Sequence, residues 1–377
     1  MSGKNAISGV VSLTLTVTLT MLAAFAARES SAADAPVVTP VKVVGQFKAP
    51  SSNKDGKARG ISGMACLGKA ENPSRECFVI NDEERFGEIV TLTKDELVAT
   101  GKTIGFVEKD EAGKGVLGKA RDPKCKDKDG AVQTGKFDEL DGEGVAIAGD
   151  QVYVASSHSC SGSGKYKPSS FLLVRFKTNS ATSFTGDSPA IVERSWRLAD
   201  ALLASDVKEA YGKPKGEGTN IEGIAVIGDR LYAGLRTPVN PNESFIVSAP
   251  VDELFASGPE GLKAGVVESI KVELGANTGI RDLAALRNGR LLILSGPTVE
   301  QAEVEYKLWL LEKPVSGAIK DPLATVTTSA KGKDGGRAKA ETIAVLDETA
   351  DRLKLLVLYD NIDEGGPTHY DIPLKPQ

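Results

Sequence analysis

Histidine is nearly missing from this sequence. His158 and His369 are the only two in 377 residues, and the four cysteines form no C-x-x-C pair. A His/Cys zinc site is therefore not expected. There is no G-x-S-x-G elbow, no complete P-loop, and no Rossmann motif placed after a strand. An excess of positive charge is lacking too. The 46 basic residues are outnumbered by 51 acidic ones, for a net charge of −5, which argues against nucleic acid as a partner. Beyond the N-terminus no run approaches the ~18 apolar residues of a membrane span.

What is present begins with a targeting segment. Lys4 is the only charge before an apolar, Thr/Ser-rich stretch from about Ala6 to Ala27, and Ser31-Ala32-Ala33 offers a cleavage site before Asp34. Residues 1–33 read as a signal peptide. Residues 34–377 read as one exported domain, periplasmic or extracellular, monomeric and without a stable membrane span. Cys66, Cys77, Cys125 and Cys160 all remain after cleavage. An even count in an oxidising compartment predicts two disulfides, and four cysteines allow three pairings.

The chain also repeats itself. LDGEGVAIAGDQVYVASSHS (140–159) returns as TNIEGIAVIGDRLYAGLRTP (219–238), TGIRDLAALRNGRLLILSGP (278–297) and KAETIAVLDETADRLKLLVLYDN (339–361). A weaker copy is RGISGMACLGKAENPSRECFVINDEE (59–84). Each has two apolar runs around a turn, and three of the turns hold Gly-Asp or Asn-Gly, so each copy is a β-hairpin. Two more strand-like runs follow each of the first four hairpins, and one follows the last. Four units thus have four strands and one has three.

This pattern predicts an all-β fold, a β-propeller of five four-stranded blades. VKVVGQF (41–47) is expected to supply the missing strand and close the ring, which removes exposed sheet edges. Six blades result if 100–137 hides a weak one. The Gly-, Lys- and Asp-rich stretch within 108–137 reads instead as a solvated insertion. One helix is expected over 200–212, capped by Asp200 and ended by Gly212. Cys66 and Cys77 then flank the first hairpin turn at cross-strand positions. Cys125 precedes blade two and Cys160 follows its hairpin, so the pairs Cys66–Cys77 and Cys125–Cys160 are predicted.

In a propeller the innermost strand of each blade lines the central channel. The acids Glu143, Glu222, Asp282 and Glu341 begin that strand in four copies, with Ser62 in the weak one, and so are expected to ring one mouth. The second strand returns antiparallel to the same mouth. It brings Asn81-Asp82-Glu83, Ser157-His158-Ser159, Arg236-Thr237, Ser295-Gly296 and Asp360-Asn361, with Arg281 beside Asp282.

The phrases DGEGVA with SSHS, NIEGIAVIGDRLYAGLRTP, GIRDLA with LLILSGPT, and KAETIA resemble those of a bacterial family called domain of unknown function 3616, over roughly residues 55–365. Thr342 stands where that family usually has Gly, and the first copy is degenerate. The resemblance implies a propeller and brings no reaction with it. A looser resemblance, in the E-G-[IV] inner strands, reaches the esterase-like phytase propellers.

Crowded acids repel unless cations join them. The mouth therefore calls for an arginine lattice, a metal or a cationic ligand. Ca²⁺ suits oxygen ligands such as Glu143, Glu222, Asp282 and Glu341 better than zinc does. The expected function is a pocket for a small polar ligand, bound by Glu143, Glu222, Arg236, Arg281, Asp282, Glu341, Asp360 and Asn361. One version is a Ca²⁺-assisted ester or phosphoester hydrolase with His158 as base. The alternative is a non-catalytic scaffold for an unknown protein partner. A bland role for each acid is to accept backbone N–H bonds from the next blade.

Overall fold

The computed structural model describes residues 35–109, 113–184, 191–319, 321–333 and 335–374. The expected signal peptide lies outside the described residues. Two short strands come first, β1 (Val37–Pro40) and β2 (Lys42–Val44). Blade one holds β3 (Ile61–Cys66), β4 (Ser74–Asn81), β5 (Phe86–Thr93) and β6 (Glu96–Gly105). Blade two holds β7 (Gly142–Ala148), β8 (Gln151–Ser156), β9 (Leu173–Lys177) and β10 (Val192–Ser195). Helix α1 (Arg197–Leu203) leads to blade three, made of β11 (Asn220–Ile227), β12 (Arg230–Thr237), β13 (Glu243–Pro250) and β14 (Glu268–Glu273), with α2 (Val251–Leu254) before its last strand.

Blade four has β15 (Thr278–Ala285), β16 (Leu291–Pro297) and β17 (Lys307–Leu311). Next come β18 (Gly317–Ala318), which pairs in parallel with β14 of blade three, and β19 (Ala324–Thr325), which completes blade four. Blade five has β20 (Ala340–Glu348), β21 (Arg352–Tyr359) and β22 (Thr368–Pro373). The inner strands β3, β7, β11, β15 and β20 touch in that order, and β20 meets β3 again. The result is a five-bladed propeller.

Apolar burial binds the ring at the blade-to-blade contacts. Phe78 and Ile80 of blade one join Val152 and Phe176 of blade two in one cluster. Ala155 and Leu173 join Ile224 and Leu235 across the next contact, and Ile246 joins Ile293 across the third. Leu294 and Leu308 meet Ile343 and Tyr359. Leu356 and Leu358 of blade five close the circle on Ile61 and Met64. Alternate residues of each strand thus serve opposite neighbours, as the two-residue period requires.

The N-terminal segment does close the last blade, but four residues earlier than expected. β1 pairs antiparallel with β22, from Val37↔Asp371 to Pro40↔Thr368. Val41 then donates its N–H to Pro367 O, and β2 crosses to blade one, where it runs parallel to β6. The first chain segment therefore straps two blades together instead of joining one. The predicted helix is also shorter. It ends at Leu203, and only a 3₁₀ turn, Lys208–Ala210, follows. Asp200 is not its cap; its carboxylate meets Arg121 at 2.5 Å. Ser195 Oγ accepts the Arg197 N–H at the helix start instead.

Both disulfides form as predicted, Cys66–Cys77 and Cys125–Cys160. The first joins residues directly opposite each other in the β3–β4 ladder. The second pins the insertion before blade two. Residues 113–137 carry no named strand, yet they are not simply solvated. Phe137 packs edge-on against Trp196, and Tyr211 donates its hydroxyl hydrogen to Arg121 O. Among the described residues no helix is long and apolar enough to cross a membrane.

Candidate functional site

The five inner strands share one irregularity near their first residues. In each, pairing with the second strand skips a single residue. β3 pairs through Ile61 and Gly63, β7 through Gly142 and Gly144, and β11 through Ile221 and Gly223. β15 pairs through Ile280 and Asp282, and β20 through Ala340 and Thr342. The skipped residues are Ser62, Glu143, Glu222, Arg281 and Glu341. A bulge re-aims a side chain out of the regular alternation. Here it presents five equivalent positions to one mouth of the ring.

This register changes one sequence assignment. Asp282 is not the equivalent of Glu222; Arg281 is. The phrase I-R-D-L-A matches I-E-G-I-A residue for residue, so the apolar pair after the bulge, not the nearest acid, sets the alignment. Asp282 occupies the position of Gly144 and Gly223. A Cβ on Gly144 would lie 2.7 Å from Ile224 N, and one on Gly223 2.4 Å from Asp282 Cα. Those glycines let neighbouring inner strands approach closely. In blade four the same place holds a carboxylate that bonds instead of yielding. Asp282 Oδ1 accepts Leu283 N–H at 2.8 Å and Oδ2 accepts Ile343 N–H at 2.7 Å. It latches blade four to blade five. Ser62 does the same between blades one and two, donating to Gly142 O at 2.5 Å.

The other bulge residues meet over the channel. The carboxylates of Glu143, Glu222 and Glu341 offer oxygens within 4.8 Å of one another. Arg281 stands between two of them, pairing with Glu341 and, at 3.3 Å, with Glu222. Arg236 from the end of β12 holds the other Glu222 oxygen at 3.0 Å, and Asn220 donates to it at 2.7 Å. Gly296 makes room for this lattice, because a Cβ there would lie 2.5 Å from Tyr306 and 3.0 Å from Arg281 Cγ.

Glu143 is different. Among the described residues no cation forms an ion pair with it. Burial first, then the nearby charges of Glu222, Asp141 and Asp82, push its pKa well above the usual carboxylate range. Asp82 is raised in the same way, by burial and then by Asp360 and Asp141. Asp141 rises to about 6, chiefly through burial, although Ser157 Oγ donates to its Oδ2.

A cavity of about 850 Å³ opens at this mouth. Glu143, Glu222, Arg236, Arg281, Glu341, Asp360 and Asn361 all line it, as the sequence suggested. Asp282 does not. Nor does His158, the expected base. His158 is fully buried, packs edge-on against Phe171, and adopts a left-handed backbone at φ +52. Its Nδ1 lies 2.9 Å from Ser156 O, and burial lowers its pKa to about 4, so it stays neutral. The tight turn after β8 rotates it away from the channel.

Sequence reasoning left several lining residues without a role: Asp82, Asp141, Lys215, Tyr306, Arg337 and Lys339. The sequence places Asp82 at this mouth, directly after the second strand of blade one, but gives it no part in binding. Asp141 directly precedes the G-E-G phrase. Lys339 and Arg337 lie in the loop before β20, with no pattern to mark them.

The lattice bears on the metal expectation. A divalent ion at the three glutamates would compete with Arg281, whose guanidinium already pairs with Glu222 and Glu341. Of the three glutamates only Glu143 forms no ion pair, so Ca²⁺, which takes six to eight oxygens, would have to displace the guanidinium to use all three.

No curated protein sequence matches the chain. Solved structures resemble the chain only weakly and at very low identity. An α-L-arabinofuranosidase of Podospora anserina is 8% identical, with 90% of this chain and 97% of that chain covered and a TM-score of 0.39. The family 117 glycoside hydrolase Zg3597 of Zobellia galactanivorans is 9% identical, with 90% of each chain covered and a TM-score of 0.42. The WD40 domain of Neurospora crassa Pan2 is 9% identical, with 90% of this chain and 96% of that chain covered and a TM-score of 0.33. Likenesses this weak carry no argument about the site. The looser likeness to phytase propellers gains no support. The family resemblance is supported over the later part of its expected span: residues 198–369, from α1 into β22, match the model of the family described as protein of unknown function, DUF3616, and the stretch from 55 to 197 is not covered.

Proposed function

We propose that the channel mouth is a binding cavity for a small polar ligand in an exported protein. One observation carries this reading. The acids on one side of the mouth are ion-paired by arginines, while Glu143 in the same cluster forms no ion pair among the described residues and feels Arg236 only at longer range. A purely structural ring of acids would have every member bonded, as Asp282 is. Buried charge without a partner is costly, and such cost is retained where a ligand relieves it. The two disulfides support export.

A second reading has one observation in its favour, the close approach of the Glu143, Glu222 and Glu341 carboxylates. It is the metal-assisted ester or phosphoester hydrolase. Asp141, not His158, would then be the base, since its pKa of about 6 suits proton transfer near neutral pH. The metal-free binder agrees better with the arginine lattice.

A thermal-shift screen of small polar compounds and calcium chloride tests these readings. It is run on the wild type, Arg236→Ala and Glu143→Gln. Compounds that stabilise the wild type are expected to lose their effect in both variants. Stabilisation retained in both places the site elsewhere. A response to calcium alone favours the hydrolase. No response to any compound favours the scaffold.

A further inference from the structure

A second recess, of about 140 Å³, opens beside blade two. It shares Asp141, Glu143, Lys215 and Arg236 with the central cavity, so the two adjoin. Ser170, from the 3₁₀ turn Pro168–Phe171, forms part of its wall. Ser170 is only 2% exposed, and its Oγ has no hydrogen-bond partner. An orphaned buried hydroxyl costs about 1–3 kcal/mol, a cost that a ligand group in the recess would relieve.

The charges indicate what that partner is. Lys167 is paired with Glu139, and Arg236 with Glu222. Setting those pairs aside leaves Asp141, Glu143 and Lys215, a net charge of −1. Lys215 is exposed at the rim and solvated. Without it the inner wall presents two carboxyl groups, Asp141 and Glu143, that form no ion pair among the described residues. It also offers three acceptors: the Asp141 oxygen not bonded to Ser157, the Glu143 carboxylate, and Ser170 Oγ. A primary ammonium carries one positive charge and three N–H donors.

We propose that this recess holds the primary ammonium end of a ligand whose remainder fills the central cavity. The inference rests on the cavity reading above and names its ligand class. At about 30 Å³ per water, the recess has room for on the order of five waters, enough for an ammonium and the first carbons of its chain. A divalent ion is repelled twice as strongly as an ammonium by the Arg236 guanidinium that lines the same wall. A quaternary ammonium has no N–H to give, and no aromatic side chain lines the recess to receive its methyl groups.

Three two-carbon probes isolate the ammonium: ethanolamine, ethylene glycol and glycolate. Each is titrated calorimetrically into the wild type at constant ionic strength, with tetramethylammonium chloride and calcium chloride as further probes. Ethanolamine is expected to bind at least tenfold more tightly than any other. Ser170→Ala should weaken it about tenfold, and Glu143→Gln should abolish it. Ser169→Ala is the control. Its hydroxyl is equally buried and unpartnered but lines neither cavity, so binding should not change.

Glycolate or calcium binding better than ethanolamine overturns the inference, as does an unchanged affinity in Ser170→Ala. If ethanolamine fails while a compound from the thermal-shift screen binds in an Arg236-dependent way, the ammonium inference falls and the cavity stands. If no compound depends on Arg236, both fall.

Discussion

Blades two and four place different residues at the same two positions. In blade two the bulge residue is Glu143 and the next is Gly144; in blade four they are Arg281 and Asp282. Blade four is paired in charge, although Arg281 Nε has no hydrogen-bond partner and burial raises the Asp282 pKa as well. Arg281 pairs with two glutamates, and Asp282 accepts two backbone N–H bonds. Blade two is not. Among the described residues Glu143 forms no ion pair, and both it and Asp141, its neighbour on the cavity wall, have raised pKa values. One backbone device, a bulge at the start of the inner strand, thus serves two ends. Where its charged residues are bonded it locks the ring, and where they are not it keeps an open, charged wall. Native proteins break the rule of satisfied polarity mainly at functional sites.

The largest expected effect breaks the paired side. Arg281→Ala leaves Glu222 and Glu341 buried at 2% and 8% exposure without their shared cation. The loss should be about 3–5 kcal/mol in urea unfolding. A loss below about 1 kcal/mol would mean that the lattice does not hold the ring.

The pH dependence of blade two comes next. Asp141 has a folded pKa of about 6 against an ordinary value of 3.8. Between those values the folded chain holds a proton that the unfolded chain has released. Stability is therefore highest below about pH 4 for this group and is lost as pH rises through 6, by up to about 3 kcal/mol. Asp141→Asn should flatten that part of the stability–pH curve. An unchanged slope would assign it to another group.

Asp282→Asn is a smaller change. An amide has one acceptor oxygen, so one of the two backbone N–H groups loses its partner, at about 1–3 kcal/mol. Ligand binding should be unaffected. If binding is lost with stability intact, blade four is part of the site and the contrast between the blades disappears.

The fold was largely legible because hairpins and turns are local. Apolar alternation marked the strands; Cys66 and Cys77 fell at cross-strand positions of one hairpin, and Cys125 and Cys160 fell before and after another. Closure was legible as a need for one more strand but not in its register. Pro40 and Val41 form the crossing point, and which side of it joins blade five depends on contacts more than 300 residues away in sequence. At the mouth, charge was a poor guide to alignment. Asp282 attracted the assignment that belongs to Arg281, and only the following apolar pair shows the register. His158 was misplaced for a conformational reason. Its positive φ turns the side chain inward, and nothing in SSHS announces that turn.

The smallest expected effect has the opposite sign and tests the central claim directly. Glu143→Gln keeps shape and hydrogen-bonding capacity while removing an unpaired charge. Its benefit grows with pH, because the raised pKa means the cost of the charge appears as the proton leaves. At pH 8 the variant should be more stable than the wild type by about 1 kcal/mol, and it should no longer bind ethanolamine. A variant that is less stable, yet binds ethanolamine as the wild type does, would show that Glu143 is another lock between blades and that the mouth of blade two is not a binding site.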